Sequence, residues 1–106
     1  MEVSWATPKK AMIASQKHFL GEFNTEEMSA VVSMLLKNVT MIGTSDRANP
    51  GFEPATIFWA DCEGTTYNIV LDSTDLKKNL ATVISLYVIE DADRDYKINR
   101  FNMEGI

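Results

Sequence analysis

The chain has 106 residues, 45% of them hydrophobic and 24% charged, which is the makeup of one globular domain with one core. Its formal charge of −5 removes the broad basic footprint of a nucleic-acid-binding surface, so any such contact needs a local patch. No apolar run approaches the ~18–20 residues of a membrane span, Met1 to Lys10 lacks the basic-then-apolar order of a signal peptide, and the single Cys62 excludes an internal disulfide and predicts a cytoplasmic protein.

Two helices are predicted first. Thr7-Pro8 reads as a cap followed by proline at the first helical position, where its missing N–H costs nothing. Met12, Ile13, Phe19 and Leu20 then share a helical face up to a stop at Gly21. Asn24 with Glu27 resembles a capping box, and Met28, Val31, Val32 and Leu35 repeat behind it at helical spacing, which predicts a helix over 25–37.

The period then changes to that of strands. Residues 38–43 form a candidate strand, and the polar stretch 44–54, with Asn49-Pro50-Gly51, reads as a loop or wide turn. Segments 55–61 and 65–72 are rich in β-branched and aromatic residues, and Cys62-Glu63-Gly64 between them reads as a short hairpin connection. Ile57 and Trp59 share a face of the first strand; Tyr67, Ile69 and Leu71 share one of the second. Residues 73–90 satisfy two patterns at once. Leu76, Leu80, Val83, Ile84, Tyr87 and Val88 lie at helical spacing, whereas 82–89 has the composition of a strand. The favoured reading is a helical turn at 74–79 and a strand at 81–90. Residues 96–101 are then predicted to return as a last strand across the turn 90–95.

Few residues offer chemistry. Asp91-Ala92-Asp93-Arg94-Asp95, with Ile98 at the eighth position, alternates oxygen ligands as an EF-hand loop does. Tyr96 stands where that loop needs glycine, however, and Asn102 cannot supply the closing bidentate carboxylate. The segment is read as a solvated acidic turn between two strands, with no metal. His18 is the only histidine and has no orienting partner in sight, and Cys62 lacks an activating base. No glycine-rich phosphate loop is present, so neither catalytic residues nor a cofactor is predicted. Aromatics are the remaining lead. Phe58, Trp59 and Tyr67 cluster in the hairpin with Asn68 beside them, a set able to stack and hydrogen-bond single-stranded bases. Phe58 and Trp59 must face opposite sides of a regular strand, so at least one is exposed or covered by another element.

At this hairpin the segment Tyr67-Asn68-Ile69-Val70-Leu71-Asp72 resembles the Met-Asn-Leu-Val-Leu-Asp stretch of the Sm/Sm-like family of small ring-forming β-barrels. The order of helix and strands over residues 24–101 also resembles that family. The family's aspartate and base-stacking positions are occupied by Gly64 and Thr66, leaving Asn68 alone to carry over. Its arginine-glycine pair is absent, with Arg94 a distant substitute, and two N-terminal helices are predicted where the family has one.

These readings lead to an α+β expectation: N-terminal helices packed on a bent five-stranded antiparallel sheet, for which the resemblance implies an Sm-like barrel. The resemblance further implies a non-enzymatic homo-oligomeric ring that contacts single-stranded RNA or DNA. In it Tyr67 stacks, Asn68 bonds a base edge, and Lys77, Lys78 and Arg94 meet phosphates. The alternative drawn from the bulk charge is an acidic interaction module, such as an inhibitor or immunity protein, that covers a basic partner surface.

Overall fold

Alternating apolar residues build the centre of the molecule as a sheet, and the residues that interrupt the alternation decide where it bends and ends. A computed structural model describes residues 2–5, 25–45 and 55–106. In chain order the elements are β1 (Glu2–Trp5), α1 (Thr25–Leu35) with a 3-10 extension over Leu36–Asn38, and β2 (Val39–Ser45). There follow β3 (Ala55–Cys62), β4 (Thr65–Asp72), α2 (Ser73–Lys77), β5 (Leu80–Val88), a 3-10 turn (Asp91–Asp93), α3 (Arg94–Arg100) and β6 (Glu104–Gly105). The sheet has six strands in the order β1-β5-β4-β3-β2-β6. β2 to β5 form an antiparallel meander, β6 adds antiparallel to β2, and β1 adds parallel to β5.

The α+β class stands, and the finer expectation is corrected in two respects. The sheet is six-stranded and mixed rather than five-stranded and antiparallel, and it is open, with β1 and β6 at its two edges. The predicted last strand at 96–101 is α3 instead. In Tyr96-Lys97-Ile98-Asn99-Arg100-Phe101 the strand reading aligned Tyr96 with Ile98. A helix instead aligns Arg94, Lys97, Ile98 and Phe101, and these are the residues that meet the sheet. Tyr96 is left two-thirds exposed. The first predicted helix, its His18 and residues 46–54 of the predicted loop lie outside the described residues.

Both sheet faces are covered. On one, Met28, Val32 and Leu35 of α1 are buried in a cluster with Trp5, Ala60, Ile69, Leu71, Ala81, Val83 and Leu86. Trp5 Nε1 donates to Ser29 Oγ at 2.9 Å, tying β1 to α1. On the other face Ile57 and Trp59 are buried with Ile89 and Met103, and Ile98 and Phe101 pack over them. Phe58 and Trp59 do face opposite sides, and each is covered.

Local chemistry sets the joints. Glu63 and Gly64, at φ 50° and 79°, make the two-residue β3–β4 turn, which matches strand twist when both central residues take positive φ. Asp72 Oδ1 accepts from the amides of Thr74 and Asp75 at 2.9 and 3.1 Å and starts α2. Asn79 closes α2 at φ 63°, a left-handed position asparagine tolerates. Asn102, at φ 50°, does the same for α3, where Met103 N donates to Ile98 O at 2.9 Å. The tail then crosses β2 at Gly43, where an added Cβ would meet Met103 Sδ and come within 2.6 Å of the Phe101 carbonyl. No described helix is long and apolar enough to cross a membrane.

Candidate functional site

The five residues singled out in the sequence do not share a surface. Tyr67 and Asn68 are consecutive on β4 and therefore face opposite sides. Tyr67 is half-buried against the α1 cluster. Burial raises its hydroxyl above the ordinary tyrosine range, helped by the nearby Cys62 and Glu63. Asn68 is fully buried on the α3 side, the one buried polar residue among those described. Its Oδ1 accepts from Trp59 Nε1 at 2.8 Å, and its Nδ2 has no partner. In this arrangement it presents no edge to a base.

The cations are split as well. Lys77 and Lys78 are exposed beyond the Asp72 end of β4, while Arg94 sits by Thr66 at the other end. The eight residues of β4 put roughly 26 Å between those ends at ~3.3 Å per residue. Arg94 is also occupied: Nη1 donates to Thr66 Oγ1 at 3.1 Å and its guanidinium lies 5.3 Å from the centre of the Trp59 ring. Lys97 Nζ lies 4.3 Å from the centre of the Tyr87 ring.

What the fold does gather is carboxylates. Asp61 stands near the end of β3 and Glu63 in the β3–β4 turn, and Glu90, Asp91 and Asp93 follow β5; all five are exposed. The hydrogen bond from Ile89 N to Thr66 O, at 2.8 Å, brings the second group beside the first. A shallow depression lined by Gly64, Thr65, Thr66, Glu90 and Asp91 joins them. Thr66 Oγ1 donates to Asp61 Oδ1 at 2.6 Å, and Asp95 lies in the first turn of α3. Among the described residues none of Glu63, Glu90, Asp91 and Asp93 is in an ion pair. No group of three or more His, Cys, Asp or Glu residues among those described is arranged to hold a metal ion. The acidic segment is a 3-10 turn leading into a helix, not a loop between strands.

Only half of this acidic end was singled out in the sequence. Asp91, Asp93 and Asp95 stood out by their spacing. Asp61 and Glu63 were passed over, although a hairpin turn carrying two carboxylates beside an antiparallel third strand is a readable signal.

The described residues thus form an α+β fold on an open, mixed sheet, with an acidic rim at one end of β4. No family model, no curated protein and no solved structure matches the chain.

Proposed function

We propose that this chain is a non-enzymatic interaction module that covers a basic surface of a partner protein with its acidic end. The observation that carries the reading is the Ile89–Thr66 main-chain bond, which sets Glu90, Asp91 and Asp93 beside Asp61 and Glu63. Exposed carboxylates gathered at one end of the sheet speed encounter with a basic patch and penalise acidic competitors.

The ring reading, with single-stranded RNA or DNA as ligand, draws its support from the β2–β5 meander that follows α1. It relies on Tyr67, Lys77 and Lys78, because Asn68 and Arg94 are engaged internally. One titration separates the two. Labelled decalysine is expected to bind at low salt and to lose at least about tenfold in affinity when Asp61, Glu63, Glu90 and Asp91 are changed to their amides. Labelled homopolymer RNA and DNA oligonucleotides should bind weakly or not at all. Oligonucleotide binding that disappears in a Lys77→Gln, Lys78→Gln variant, with no decalysine binding, would reverse the assignment.

A further inference from the structure

Asn68 is the register partner of Trp59 on one side and of Tyr87 on the other, so the three side chains form a row across β3, β4 and β5. α3 lies over this row and places one cation on each ring, Arg94 on Trp59 and Lys97 on Tyr87. Beneath them the Asn68 Nδ2 is buried and has no acceptor among the described residues.

The cover is lightly attached. No residue of α3 is fully buried. Its C-terminal end is tied to β2 by the bond from Thr44 N to Phe101 O at 2.9 Å. Its N-terminal end is held by Arg94, which donates to Thr66, which in turn donates to Asp61. A 3-10 turn precedes it, and Asn102 at positive φ follows it. Elements with few buried contacts open first, below the global unfolding free energy.

We propose that α3 is a latched cover: it lifts as a unit while the sheet and α1 stay folded, with Arg94, Thr66 and Asp61 as the latch, and lifting unseals the Trp59–Asn68–Tyr87 row. This goes beyond the assignment of the acidic end and is measured on the free chain, so its outcome is independent of any partner.

Native-state hydrogen exchange by NMR on the full chain, across a series of low urea concentrations, tests it. The amides of Phe101 and Met103, together with the Asn68 side-chain amide, should exchange at least about tenfold faster than the β4 main-chain amides and with little urea dependence. Arg94→Gln and Asp61→Asn should each speed that set by about fivefold and leave β4 unchanged. Exchange of the Asn68 side chain and α3 at the β4 rate, with the β4 urea slope, would overturn the proposal. So would latch variants that accelerate β4 in parallel. Should a variant fail to fold, the urea series on the unaltered chain decides alone.

Discussion

At the scale of single residues, two positions carry consequences that can be measured. Gly43 is required by space: the tail passes so close that a Cβ would meet Met103 Sδ and the Phe101 carbonyl, which the amide of Thr44 already holds. Gly43→Ala must push the tail off β2 or strain it, and should destabilise by about 1–3 kcal/mol, the usual range for overpacking. Urea unfolding measures the loss, and an unchanged midpoint would show that the tail yields without cost. Tyr67 gives a pH dependence. Its folded hydroxyl titrates above the ordinary tyrosine value of about 10, so the native state keeps its proton where the unfolded chain has released it. The contribution to stability is therefore complete below pH about 10 and is lost as pH rises through the folded value. Thermal melts from pH 8 upward should show a decline that Tyr67→Phe makes shallower. Neither effect was legible beforehand. Gly43 reads as any strand glycine until the returning tail is known, and Tyr67 reads as a stacking residue until its packing against the α1 cluster is seen.

Among the elements, legibility depended on whether the local period matched the tertiary environment. α1 was readable because Met28, Val32 and Leu35 keep the helical interval and are the residues buried. The β3–β4 hairpin was readable because its turn residues meet a turn requirement. β5 was ambiguous for a structural reason. Val70 pairs with Ser85 and Leu71 with Val83, so Ile84 is an extra residue that shifts the parity of the strand. Val83 and Leu86 consequently point into one cluster three residues apart, imitating a helix. α3 shows the reverse case, a helix whose residues happen to alternate. β1 is four residues long and was not predicted, since its strand partner among the described residues is 78 residues away in sequence. The short α2 rests on its cap. Asp72→Ala removes the acceptor of two amides and should cost about 0.5–2 kcal/mol. The midpoint of chemical unfolding reports it, and a silent Asp72→Ala would mean that β4 and β5 position α2 unaided.

For the whole molecule, the distribution of charge matters more than its sum. The acidic end and the lysine end stand at opposite ends of β4, with the main cations of α3 turned onto rings. A protein arranged in this way should orient in the field of a partner before contact. The decalysine complex should therefore weaken steeply between low and physiological salt, with most of the change in the association rate. A salt-independent affinity would place the contact elsewhere. The composition announced the sign of the charge; its concentration at one end depends on the pairing of β4 with β5, which the Ile89–Thr66 bond extends and which no local pattern encodes.

The parallel β1 has a further consequence, for the order in which the molecule comes together. The pairs of the β2–β5 meander join strands adjacent in the chain, but Glu2 must wait for Leu80, as Met41 must wait for Gly105, before it has that partner. β1 thus precedes its partner by most of the sheet, and closing so long a loop is entropically slow. Until β5 is complete, the cluster that Trp5 enters lacks Ala81, Val83 and Leu86, and the apolar side of α1 lacks part of its cover. A nascent chain arrested before residue 80 carries that exposed surface, and it is the species in which association with other chains competes with folding.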